Sequence, residues 1–248
     1  MNSAETGAIQ KFRQNESLVA HVAFKDGRLL ELPTTVAAPR PRVTLLSKSV
    51  QRPSTGESPI HLSSQEDLPI DGRLSFFLKS QVPEEFTPTE KIEVATAENG
   101  FSTILSEADG SVTLQDAHTM YVVFDPMKRF GAGAFGPIRY RPVNADGVAG
   151  DWQPLANLVR LPAIRDIRCS AANDQSCVLS GSNLFLIDTV ASDSQFQEAL
   201  SVPEGFLESS LGVPRPKGTK LYIKLRDDPT TVNELSVSEL GIVQAEQR

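Results

Sequence analysis

Apolar residues along this chain recur at every second position far more often than at every third or fourth, which is the period of a pleated strand. Leu18, Ala20, Val22 and Phe24 keep that spacing, Lys25-Asp26-Gly27 marks a hairpin, and Leu29-Leu30-Glu31-Leu32 follows. The same pattern predicts strands over residues 43–50, 74–80, 92–96, 101–105, 120–124, 137–143, 155–160, 164–169, 178–187 and 220–226. Asp71-Gly72, Asn99-Gly100, Asp109-Gly110, Asp146-Gly147 and Lys217-Gly218 punctuate them as turns. Only 116–119, 126–130 and 193–199 suggest short helices. Short strands at intervals of about ten residues with Gly/Pro/Asp punctuation indicate an all-β protein of the sandwich type.

An internal echo then divides the chain. Strand, Asp26-Gly27, strand, Pro41 and a new strand at Val43 are matched by strand, Asp146-Gly147, strand, Pro162 and a new strand at Ile164. The Asp-Gly pairs lie 120 residues apart and the prolines 121 apart. A second echo pairs Pro137-Ile138-Arg139-Tyr140-Arg141-Pro142 with residues 219–226, centred on Tyr222. The expected organisation is an N-terminal hairpin remnant (1–39), a central β-sandwich (40–161) and a C-terminal β-sandwich (162–248). They form tandem modules joined by short proline-containing linkers. Proline fixes φ and withholds a donor, so such junctions end sheets and stiffen linkers. The remnant either packs on the central module or is the tail of a preceding module. Its polar start, without a secretory signal, agrees with the second view.

Two cysteines, Cys169 and Cys177, flank seven small polar residues between strand-like stretches. A hairpin there sets the sulfurs face to face, so a disulfide is expected, and with it an oxidising compartment. Zinc is disfavoured, because His21, His61 and His118 all lie far upstream.

The stretch Cys177-Val178-Leu179-Ser180-Gly181-Ser182-Asn183-Leu184-Phe185-Leu186-Ile187 resembles the opening of IPT/TIG-type immunoglobulin-like domains, where an early strand ends in a Gly-x-Asn-Phe-like step. The likeness covers residues 162–235. The central module, with Leu74-Ser75-Phe76-Phe77-Leu78 at the equivalent place, lacks that step. The run from Gly150 to Pro229 is also similar to repeats in large exported bacterial proteins of unassigned function. The resemblance implies spacers, adhesion modules or accessory domains beside catalytic ones.

Composition narrows the chemistry. With 24 basic and 31 acidic residues in 248, the net charge is −7, which disfavours nucleic-acid partners. No apolar run is long enough to span a bilayer. Gly131-Ala132-Gly133-Ala134-Phe135-Gly136 has the letters of a dinucleotide fingerprint, but a strand-like stretch follows it where a helix is needed. No Gly-x-Ser-x-Gly or His-Glu-x-x-His occurs. Glu84-Glu85 sits between prolines as a solvated loop. Asp227-Asp228-Pro229 reads as a strand-end turn where calcium is conceivable without a spaced ligand series. Trp152, beside Asp151 and Gln153, is the candidate ligand contact, stacking on a sugar or else packing on the following strand. The expectation is a non-catalytic structural, adhesion or spacer segment of an exported or cell-surface protein, extracellular or in the cell envelope. It needs no cofactor or metal, and its partners are surface proteins, polysaccharides or neighbouring domains. A carbohydrate-binding accessory module is the alternative, and a β-sandwich hydrolase a more distant one.

Overall fold

Nearly every stretch of alternating sequence is a strand in the computed structural model, which describes residues 17–35, 40–52, 58–81, 85–169, 176–240 and 242–244. The strands are β1 (Ser17–Ala23), β2 (Leu29–Thr35), β3 (Val43–Gln51), β4 (Ile60–His61), β5 (Asp67–Pro69), β6 (Arg73–Ser80), β7 (Lys91–Thr96), β8 (Ser102–Ser106), β9 (Val112–Leu114) and β10 (Thr119–Phe124). A one-turn helix, α1 (Pro126–Phe130), precedes β11 (Gly136–Val143), β12 (Gln153–Val159), β13 (Ala163–Cys169), β14 (Ser176–Ser182), β15 (Ile187–Ala191), β16 (Ala199–Ser201), β17 (Ser210–Pro214), β18 (Lys220–Leu225), β19 (Asp228–Ser236) and β20 (Ile242–Gln244).

Two cores organise them. In the first, the sheet β3-β6-β10-β9 faces the sheet β5-β12-β11-β7-β8. Alternation puts Leu74, Phe76 and Leu78 of β6 inward, beside Met120, Val122 and Phe124 of β10. Ile138 and Tyr140 of β11 and Ile92 and Val94 of β7 meet them from the other sheet. The rings of Phe76 and Tyr140 pack 5.8 Å apart across the gap. Burial pushes the Tyr140 phenol up to about 12, so it stays protonated, donating to Gln153 Oε1 (2.9 Å). Gln153 Nε2 in turn donates to the Val43 carbonyl (2.8 Å), which ties the core to the first strand. In the second core, β17-β14-β13-β20 is opposed by β16-β15-β18-β19-β4. Leu179, Leu211, Leu221, Ile223 and Leu235 are all at or near zero exposure there.

The two units use their strands in the same order. β3, β6 and β10 correspond to β13, β14 and β17, while β8-β7-β11-β12 corresponds to β16-β15-β18-β19. They differ at the sheet edge. Beside β12 lies β5, parallel, whereas beside β19 lies β4, antiparallel, taken from the stretch between β3 and β5.

Three sequence expectations give way. Residues 116–119 are not helical, because Asp116 Oδ1 accepts from the His118 amide (2.7 Å) and Thr119 opens β10. Residues 193–198 form bends and turns and Ala199 opens β16, with Asp193 Oδ1 accepting from the Gln195 amide (3.0 Å). The expected single strand over 178–187 is two strands parted by a 3₁₀ turn, Leu184–Leu186. The break falls on the Gly-x-Asn step. Asn183 takes a left-handed φ of 56°, a conformation Asn tolerates better than most residues. Gly181 lies so close to β13 that a Cβ would stand 2.3 Å from the Ala163 carbonyl oxygen. Gly181→Ala is therefore expected to cost about 1–3 kcal/mol, seen as a lower denaturant midpoint for the second core.

Cys169 and Cys177 are register partners across β13 and β14 and form a disulfide, Cα atoms 4.2 Å apart. Of the seven residues between them, 170–175 lie outside the described residues. Closing this short loop restricts the unfolded chain, so replacing both cysteines by serine is expected to cost about 2–3 kcal/mol in chemical unfolding.

Candidate functional site: the junction between the two cores

The passage between the cores takes three residues, Arg160-Leu161-Pro162, between β12 and β13. Adjacent residues of β12 already serve different cores, Leu158 the first and Val159 the second. Ile60 and Leu62, from the first half of the sequence, also lie in the second core. β4 joins β19 there, pairing His61 with Glu234 and Ile60 with Leu235. Around that graft the Ser236 amide donates to the Pro59 carbonyl (2.8 Å) and the Ser63 amide to Asn233 Oδ1 (3.0 Å).

Arg160 adds a clamp to Asp227, at the turn between β18 and β19. Its backbone amide and Nε donate to Asp227 Oδ2 at 2.8 and 2.9 Å, and Nη2 donates to Oδ1 at 2.7 Å. The Asp227 side chain is only 2% exposed and that of Arg160 is 22% exposed. Such charge-assisted, forked bonds fix both distance and orientation. The guanidinium also lies 4.1 Å from the Phe135 ring centroid. Phe135 belongs to the glycine-rich loop, whose order is helix, loop, strand (α1, then β11). Holding a pyrophosphate needs the reverse order, strand, loop, helix. The loop instead presents an aromatic ring to Arg160, and Asn99 Nδ2 anchors its Phe135 carbonyl at 2.7 Å.

Beside the clamp lies a cleft of about 350 Å³ lined by Lys48, Arg52, Ser63, Gln65, Glu66 and Asp67. Lys48 donates to Glu66 and to the Leu155 carbonyl (2.6 Å). Asp67 is buried, and its Oδ1 accepts from Asn157 Nδ2 at 3.1 Å. Its Oδ2 has no hydrogen-bond partner among the described residues. Burial pushes the Asp67 carboxyl up, against the lowering effect of Asn157, and the charges of Asp228 and Glu66 add to the rise. Folded Asp67 thus holds its proton more tightly than unfolded Asp67. The stability this confers is complete below the ordinary value of 3.8 and is lost as pH rises through the folded value. Asp67→Asn is expected to remove that loss and to raise stability at neutral pH by about 1 kcal/mol. Thermal unfolding at a series of pH values from about 4 upward checks it, with a parallel pH profile in both proteins contradicting it.

The other residues singled out by the sequence are spread apart. Asp227 is spent on Arg160, and Asp228 Oδ1 accepts from the amide (3.2 Å) and hydroxyl (2.7 Å) of Thr230. Burial raises the Asp228 carboxyl, yet hydrogen bonds from Thr231 and Thr230 outweigh it and leave the group below its usual range. The turn sits at Arg226-Asp227, and Pro229 lies inside β19. No group of three or more His, Cys, Asp or Glu side chains among the described residues is placed to hold a metal ion. Trp152 is half-buried, its ring centroid 4.5 Å from the Arg139 guanidinium and 4.3 Å from that of Arg141. Arg141 also donates to Glu93 at 2.7 Å. A second aromatic pair, Phe77 and Tyr121 with centroids 4.9 Å apart, sits on the outer face of the opposite sheet. Glu85 is exposed, while Glu84 lies outside the described residues. Among the described residues no helix is long and apolar enough to cross a membrane.

No family model matches the chain, and no curated protein is similar to it. Nothing in the sequence marks Arg160 and Asp227 as partners, since 67 residues separate them; only the Asp-rich strand end hinted at a role for Asp227.

Proposed function

We propose that this chain is a non-catalytic spacer or adhesion segment made of tandem immunoglobulin-like modules, the second of IPT/TIG type, in an exported or cell-surface protein. The observation that carries the proposal is the interlocked junction. A strand from the first half of the sequence completes the second unit's sheet, and Arg160, just after β12, is bolted to the buried carboxylate of Asp227 in the second unit. Two units free to swivel would need neither. The shared strand order supports a repeat, and the disulfide supports an oxidising location. A segment of this kind acts by geometry, holding whatever flanks it at a set distance and angle.

Small-angle X-ray scattering tests this. The two cores of the full chain are expected to fit one fixed separation independent of salt, because the Asp227 carboxylate at the clamp is buried. A broad distribution of core-to-core separations in the unmodified chain would retire the proposal. A carbohydrate-binding role is the second reading, favoured by a half-buried Trp152 flanked by two arginines on an outward face. A polysaccharide pull-down unaffected by Trp152→Ala would remove it.

A further inference from the structure

The β1–β2 ribbon is the one place among the described residues where a sheet has an apolar face and nothing against it. Its pairs run from Ser17↔Thr35 to Ala23↔Leu29, so Leu18, Ala20, Val22, Leu30 and Leu32 share one face. Val22 is 40%, Leu30 42% and Leu32 44% exposed, and Phe24 at the turn is 46% exposed. An isolated two-stranded hairpin is marginal in water.

The fold says what such a ribbon does elsewhere in this molecule. By the 120-residue echo, Leu18, Ala20 and Val22 stand where Ile138, Tyr140 and Pro142 stand in β11, and those three are buried, Ile138 and Tyr140 in the first core. The pairing agrees: Ala20↔Leu32 matches Tyr140↔Gln153, and Val19↔Pro33 matches Arg139↔Pro154. The hairpin β18–β19 buries the same face in the second core through Leu221, Ile223 and Leu235. In the first unit the outer edge of β11 also pairs with β7, whereas β1 pairs only with β2.

We infer that residues 17–35 are the closing hairpin of a third β-sandwich. Its partner is a module of this same strand order that lacks its own last hairpin, supplying an apolar sheet against Leu18, Val22, Leu30 and Leu32 and an antiparallel strand along β1. A second copy of this chain does not fit, because both of its sandwiches are already closed by β11–β12 and β18–β19. Two ribbons face to face would cover only roughly 240 Å² each, from seven residues at about 3.4 Å and two strands about 10 Å wide. A stable interface needs about 800 Å² per partner. The inference rests on the tandem-module reading, but it is read at the ribbon and not at the junction, so scattering can fail while this stands, or the reverse.

Hydrogen exchange on the full chain and on a swapped chain tests it. In the swapped chain, residues 18–33 replace residues 138–154, with Ala20→Tyr restoring the large core ring. In the unmodified chain the ribbon amides are expected to exchange within about tenfold of free-chain rates at every concentration, as few buried contacts protect them. In the swapped chain they are expected to slow at least about a thousandfold, as core strands do. Adding Val22→Lys should abolish that protection, and adding Val19→Lys, on the outward face, should keep it. Loss of the first core in the swapped chain while the second stays protected would overturn the inference. So would equal effects of the two lysines, or ribbon protection in the unmodified chain that grows with concentration, which would point to a second copy.

Discussion

Arg160→Ala is expected to lower stability by about 3 kcal/mol, the lower part of the range for breaking a buried ion pair, because the Arg160 side chain keeps some contact with water. The substitution leaves Asp227, 2% exposed, with one backbone donor instead of three bonds. It also strips Phe135 of the guanidinium that covers it. Asp227→Ala should cost a similar amount for the converse reason, and the double variant clearly less than the sum, since each single variant already loses the forked bond between the two side chains. Denaturant unfolding of the three variants checks this. Additive losses would mean that the pair does not act as a unit. The same variants should widen the scattering distance distribution, because the β4–β19 ladder alone has only two rungs.

Phe76→Ala is expected to cost about 3–5 kcal/mol, the range for removing a fully buried phenylalanine. Phe76 has no exposed surface and meets Tyr140 from the facing sheet, so deletion opens a cavity between two sheets that are each braced by their own ladders. Its neighbour Phe77 points outward and leans on Tyr121, and Phe77→Ala should cost only about 1 kcal/mol, the scale of a half-exposed aromatic cross-strand pair. Melting curves of the two variants decide it. Comparable losses would contradict the alternation on which the first core is built.

Period-two spacing made the long strands legible, and β6, β10 and β11 carry it without interruption. The short strands were not legible. β4 is two residues long, and its place beside β19 depends on a partner more than 170 residues away. β19 opens with Asp228-Pro229-Thr230-Thr231, a turn-like string of which Asp228 pairs with Leu225 of β18 across a register shift from the Ile223–Asn233 pair further on. Local side-chain bonds from Asp116 and Asp193 defeated two apparent helices. The cysteine clasp was legible because sequence neighbours close it. The Arg160 clamp was not, because the fold alone brings its halves together.

Each unit's edge also carries a parallel pair, β5 with β12 in the first and β13 with β20 in the second. The first unit is entered by β3, so only in the second does the pair join the strand that enters the unit to the one that leaves it. Tension along the polypeptide would drag β13 and β20 past each other lengthwise, so their rungs would have to rupture together and not peel one by one. The second unit is therefore expected to resist being drawn out from its ends better than its resistance to heat alone would suggest.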